Sequence, residues 1–326
     1  MSRHLRTTRI LLLACSIAVA SACADSGGGE EVLTPYDAGH DDATNDTSFD
    51  AAVDADTGTD ATDNDVETDA GEPDTDEPDT DVPNGDFCQP AGDGVIRRDR
   101  YPIEVGDSAP FLFSLDAAVD TAGEEIDGTL TWDLSQQKEG DFTDEVLLYD
   151  PADHWFGDEF PEASYTSELS AKDDDDEFGI FELTDDELRM LGVASPDDGY
   201  YRTELEHDPP VTILPFPLEV GDSWETEARA RGSYGGNHIH GHDETYISEV
   251  DARGELITPY GTFDVLRVNT WLEQEVWLGG MMWVTDEIRT YTFVAECFGT
   301  VARITSPADE AEEDFEVAAE VMRLTL

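Results

Sequence analysis

Over residues 87–326 polar and apolar side chains alternate with a period of two, and this alternation restricts what the chain can fold into more than any single motif does. Gly128-Thr129-Leu130-Thr131-Trp132-Asp133-Leu134, Tyr246-Ile247-Ser248-Glu249-Val250 and Phe263-Asp264-Val265-Leu266-Arg267-Val268 all carry it. Successive residues of a strand point to opposite faces, so the pattern predicts half-buried β-strands. Residues 270–278 and 281–294, rich in β-branched and aromatic types, flank Gly279-Gly280 and predict two long antiparallel strands joined by a two-residue hairpin. Pro196-Asp197-Asp198-Gly199 and Pro259-Tyr260-Gly261 mark further turns. Residues 184–191 offer the one helix candidate, with Thr184 and Glu187 spaced as a capping box, yet Leu188, Met190 and Leu191 suit a hairpin strand equally. The expected fold is all-β: a strongly curved antiparallel sheet, a half-barrel or open barrel, with at most one or two short helices.

Residues 24–86 cannot join such a fold. They hold 22 acidic residues and no Lys or Arg, and so little apolar area cannot offset the roughly 1–2 kcal/mol of backbone entropy per ordered residue. Residues 23–86 are therefore expected to form an acidic, disordered tether. Ahead of it, Arg3, Arg6 and Arg9 precede an apolar run over 10–20 that is too short to span a bilayer. Ala20-Ser21-Ala22-Cys23 then provides the small residues that a signal peptidase needs. This segment resembles the lipobox of bacterial lipoproteins. The resemblance implies a signal peptide over 1–22, acylation of Cys23, and a mature protein held by its lipid anchor at the outer membrane or cell surface. Secretion with a cut near Ala22 and no lipid is the alternative.

Residues 87–326 carry 56 Asp and Glu against 14 Lys and Arg, and Lys138 and Lys172 are the only lysines of the chain. Such a surface repels nucleic acid and anionic lipid and excludes both as partners. Cys88 and Cys297 stand near the two ends of this segment and are expected to form a disulfide outside the cytoplasm. One internal echo organises the segment. Pro102-Ile103-Glu104-Val105-Gly106-Asp107-Ser108 recurs as Pro217-Leu218-Glu219-Val220-Gly221-Asp222-Ser223, which predicts two glycine turns that each feed a strand. The expected organisation is one domain over 87–326 with two structural halves, about 87–208 and 209–326.

Three motifs carry a second resemblance. Pro217-Leu218-Glu219-Val220-Gly221-Asp222-Ser223-Trp224 is followed by Pro259-Tyr260-Gly261-Thr262-Phe263 and then by Gly299-Thr300-Val301 at the end of an aromatic strand. In this order they resemble a loosely defined group of bacterial exported β-proteins, many of them lipoproteins, with Tyr260 standing where that group often has Ala. The resemblance implies a curved half-barrel sheet and an exported location, and it brings no catalytic residues.

Two sets of side chains are candidates for a site. His238, His240 and His242 would share one face of an extended strand about 6.5–7 Å apart, with Glu244 on the same face, a set able to ligate zinc or another transition metal. Glycines on either side equally suit a solvated hairpin tip. Phe263, Trp271, Trp277, Trp283 and Phe293 would line an apolar groove if the concave face of the sheet is open, and otherwise pack a core. The sequence thus favours a non-enzymatic binding or envelope structural module with no cofactor, whose partners are the membrane through the anchor and a hydrophobic ligand or envelope protein. An extracytoplasmic metal-dependent hydrolase using the histidine cluster is the alternative. Mass spectrometry of the native protein is expected to find Cys23 as an acylated amino-terminal residue, and Cys23→Ser to move the protein from the membrane fraction to the soluble one. An unmodified Cys23 thiol would overturn the anchor.

Overall fold

The computed structural model describes residues 88–169, 177–278 and 281–326, and of residues 237–240, 278, 281, 283 and 284 it describes the backbone alone. The signal peptide, Cys23 and the acidic tether lie outside the described residues.

The regular structure of the described chain is almost entirely strand. Its elements are β1 (Val95–Ile96), β2 (Ser108–Ala118), β3 (Glu124–Ile126), β4 (Thr129–Asp133), β5 (Phe142–Leu147), β6 (Tyr165–Glu168), β7 (Phe178–Leu183) and β8 (Glu187–Ala194). They continue with β9 (Glu204–Pro215), β10 (Leu218–Glu219), β11 (Ser223–Tyr234), β12 (Asn237–Ile257), β13 (Thr262–Leu278), β14 (Met281–Ala295), β15 (Gly299–Thr305) and β16 (Val317–Leu324). Two three-residue 3-10 turns, Arg98–Arg100 and Pro151–Asp153, are the only helical pieces among the described residues. The helix candidate at 184–191 is a hairpin. Thr184 Oγ1 accepts the Glu187 N–H at 3.0 Å, closing a tight loop between β7 and β8 in which Leu183 faces Leu188. The capping-box spacing serves a turn here because Leu188 and Met190 are buried on the sheet.

Fourteen strands form one sheet whose main path runs β5-β2-β16-β15-β14-β13-β12-β11-β9-β8-β7-β6. Its two ends meet at a bridge between Tyr149 and Thr166, with reciprocal backbone hydrogen bonds of 2.8 and 3.0 Å. The sheet is thus a barrel closed except for a seam. Its tallest wall is β11 to β14, where β12 spans 21 residues. Leu278 pairs with Met281 and Tyr234 with Asn237, so two residues separate the strands at each of these hairpins. Gly235 and Gly236 both have positive φ, the backbone of a type I′ turn.

Closure gives every strand a luminal and an outer face. One apolar cluster faces the lumen, with Tyr101, Tyr165, Phe181, Leu188, Leu214, Tyr246, Val250, Leu266, Val268 and Leu272 among its members. A second includes Trp132, Phe263, Val265, Tyr291 and Phe293. On β13 Phe263 and Val265 belong to the second cluster and Leu266 and Val268 to the first, so the outer face of this wall is buried too. The cover is β3–β4 with its flanking chain: β4 pairs in parallel with β12, and the Trp132 ring meets Phe293 edge-on at 5.1 Å.

The sequence echo is a structural one. Asp107 N donates to Glu104 O and Asp222 N to Glu219 O, both at 3.1 Å, while Glu104 N and Glu219 N donate to the Oδ2 of Asp107 and Asp222. Gly106 N donates to Leu148 O and Gly221 N to Val250 O, at 2.8 and 2.9 Å. Each turn then opens a strand, Ser108 against Leu147 and Ser223 against Glu249. The boundary at 208/209 falls inside β9, so both turns brace one continuous sheet.

Gly106 and Gly221 hold φ of 91° and 94°, and a Cβ at either would meet nothing within 4 Å. Only backbone strain opposes a side chain there. Gly106→Ala and Gly221→Ala are each expected to cost about 1–2 kcal/mol in urea unfolding, whereas Gly261→Ala, with equal space and no positive φ, is expected to be near neutral.

Candidate functional site

Where the strand ends leave the lumen incompletely filled, a cavity of about 210 Å³ opens inside the barrel wall. Its floor is apolar and buried: Phe181, Leu188, Leu214, Val268 and Tyr165. Exposed Pro102, Asp107, Ser108 and Phe298 stand at its mouth. The segment leading to β2 lies across this end, where Tyr101 packs on Phe216 at 5.3 Å and burial pushes its hydroxyl up to about 12 against a hydrogen bond with Thr300. The Cys88–Cys297 disulfide and the Cys297 N–H bond to Arg100 O at 2.8 Å fasten that segment to the β14–β15 turn. Ser167, also on the cavity wall, is buried, and its hydroxyl has no hydrogen-bond partner.

Further along the same luminal face lies a buried polar cluster. Ala230 on β11 stands opposite both His207 on β9 and His242 on β12, and Ala228 stands opposite Glu244. These two small side chains leave room for the larger ones to meet across three strands. Tyr246 donates to Glu244 Oε2 at 2.9 Å and Gln274 Nε2 to Glu244 Oε1 at 2.9 Å. His242 Nδ1 is 3.4 Å from Glu244 Oε1, and His207 Nε2 is 3.2 Å from Oε2. Burial alone would raise the Glu244 carboxyl. The hydrogen bonds and charges of His207 and His242 outweigh it and hold Glu244 well below the ordinary carboxylate range.

No family model matches the chain, and no curated protein matches it. Among solved structures, a Bacteroides fragilis protein described as exported by assignment, with a YmcC-like fold, is similar over 69% of this chain and 96% of its own, at 14% identity and a TM-score of 0.32. A likeness of that size says nothing of chemistry.

The residues that the sequence singles out are distributed over several places. His242 and Glu244 are buried together on the luminal face, not solvated at the hairpin tip, which is Gly235-Gly236. The side chains of His238 and His240 lie outside the described residues. Among the described residues no group of three His, Cys, Asp or Glu is placed to hold a metal, and Gln274 Nε2 sits between His242 Nδ1 and Glu244 Oε1. Of the aromatic set, Phe263 and Phe293 are buried in the second cluster, Phe293 beneath Trp132 and Phe263 against Phe298 at 5.0 Å. Trp271 is half-buried under the Arg289 guanidinium at 4.9 Å, and Trp277 is half-buried. The Trp283 side chain lies outside the described residues. None of the four described aromatics lines the cavity, because the period of two turns them away from Val268, Thr270 and Thr292, which do.

His207, Tyr246 and Gln274 went unread in the sequence. The available signal was indirect: Ala228 and Ala230 alternate with Glu227, Arg229 and Arg231, and small residues on a buried face make room for large neighbours.

A carboxyl depressed on folding stabilises the fold at neutral pH and loses that contribution as pH falls below the unfolded value. Glu244→Gln is therefore expected to cost about 3 kcal/mol at pH 7, and to flatten the fall of stability below pH 5 that denaturant titrations of the native chain are expected to show.

Proposed function

We propose that this chain is an exported, lipid-anchored, non-enzymatic binding protein whose barrel takes up the apolar part of a small ligand. The cavity carries the reading. It is walled by Phe111, Phe181, Leu188, Ile213, Leu214 and Val268, and its volume of about 210 Å³ exceeds the roughly 150 Å³ of a dry apolar cavity that accepts benzene. A single ring or a short acyl chain matches that space.

The disulfide supports an oxidising location outside the cytoplasm. The Ala20-Ser21-Ala22-Cys23 segment supports the anchor, and the acidic tether would let the barrel stand clear of the lipid head groups. His242 and Glu244 are closed in by Gln274 and Tyr246, which supports a role in holding the wall together over metal-dependent hydrolysis.

Calorimetric titration of the protein with toluene, a single-ring probe, is expected to give saturable binding. Ser167→Leu puts a larger apolar side chain on the cavity wall and removes a partnerless buried hydroxyl, so it should weaken probe binding at least tenfold while leaving the fold as stable or more so. No saturable binding by the unaltered chain, or equal binding by Ser167→Leu, would overturn the reading.

A further inference from the structure

Three arginines are buried in this barrel, and they are treated differently. Arg267 donates from Nε and Nη2 to Asp251 and from Nη1 to Thr121 O, and its guanidinium stacks on Tyr291 at 4.5 Å. Arg323 donates from Nη1 to Ser114 and from Nη2 to Asp141 and Gln136 O. Both lie on the outer face, where the sheet and the chain covering it together supply acceptors to every guanidinium nitrogen but Arg323 Nε. Arg303 is satisfied less. It is 1% exposed, its one hydrogen bond runs from Nη2 to Glu320 Oε1 at 2.8 Å, and its Nε and Nη1 have no acceptor.

Strand register shows which way Arg303 points. It stands opposite Thr292 on β14 and Met322 on β16, and Thr292 in turn stands opposite Val268 on β13. Thr292 and Val268 both line the cavity. Arg303 therefore shares their luminal face, one strand spacing of about 4.8 Å from the cavity wall. A guanidinium cannot lose its proton, so it cannot relieve its burial by becoming neutral. Glu320 satisfies it incompletely: burial raises the Glu320 carboxyl, with Arg303 pulling the other way, and Glu320 Oε2 has no partner either.

We propose that Arg303 is the headgroup-binding residue of the lumen and that the ligand is a short amphiphile ending in a carboxylate. Its apolar chain fills the cavity, and its carboxylate oxygens accept hydrogen bonds from Nε and Nη1 of Arg303. This rests on the cavity being a binding site. It adds the ligand's chemical class: an organic monoanion, recognised by a buried cation inside a chain whose surface is otherwise strongly acidic.

The test is calorimetric titration of the full chain with octanoate and, separately, with 1-octanol, which has the same chain length and no charge. Octanoate is expected to bind about tenfold tighter or more. Arg303→Met combined with Glu320→Met, which leaves no unpaired buried charge, should abolish that preference and leave octanol binding unchanged. Glu320→Gln, which keeps the side chain's size and removes its competing charge, should hold or raise octanoate affinity in the fraction that circular dichroism shows to be folded. Octanol binding without an octanoate preference, or a preference that survives the double substitution, overturns the role of Arg303 and leaves the cavity reading standing. Binding of neither compound overturns both.

Discussion

Closure of the sheet is the constraint on which this structure depends. The path from β5 to β6 becomes a barrel only because Tyr149 and Thr166 exchange backbone hydrogen bonds across the seam. Once closed, every strand has an inside that water reaches poorly, and its side chains must be apolar, mutually satisfied or held for a ligand. The luminal cluster meets the first condition and the set around Glu244 the second, and we propose that the cavity with Arg303 meets the third.

The same constraint explains why the wall is double over part of its circumference. Phe263, Val265, Tyr291 and Phe293 make the outside of β13 and β14 as apolar as the inside, and β3–β4 with Trp132 covers it. This cover needs acceptors for the arginines beneath it and has them: Thr121 O for Arg267, Gln136 O and Asp141 for Arg323. On the luminal side Arg303 has Glu320 alone as a hydrogen-bond partner, and it stands one strand away from Thr292 on the cavity wall.

Much of the architecture was legible in the sequence because its signals are local. Period-two alternation depends on neighbouring residues only, and so do the glycine turns: Glu104 to Asp107 and Glu219 to Asp222 form equivalent hydrogen bonds because the same residues stand at the same offsets. The 184–191 segment stayed ambiguous for the opposite reason. A threonine three residues ahead of a glutamate can close a helix or a hairpin, and burial of Leu188 against the sheet decides it. The site was the least legible part. His242 and Glu244 stood out by spacing, but the residues that complete their surroundings, His207 and Gln274, lie thirty or more positions away on other strands.

The sequence alone determined that this chain is built of alternating strands, that Cys88 and Cys297 stand near the two ends of one β-rich segment, and that acidic residues far outnumber basic ones. Composition and short-range pattern suffice for these, since they need no knowledge of what faces what. Tertiary structure decided which face of each strand looks inward. It set Phe263 and Phe293 under a cover instead of along a groove, and brought Tyr101 against the end of the lumen. It also left Arg303 inside with a single carboxylate partner. The physical reason is register: whether a side chain meets a ligand, a partner or water depends on pairings between strands distant in sequence, and alternation within one strand cannot specify them.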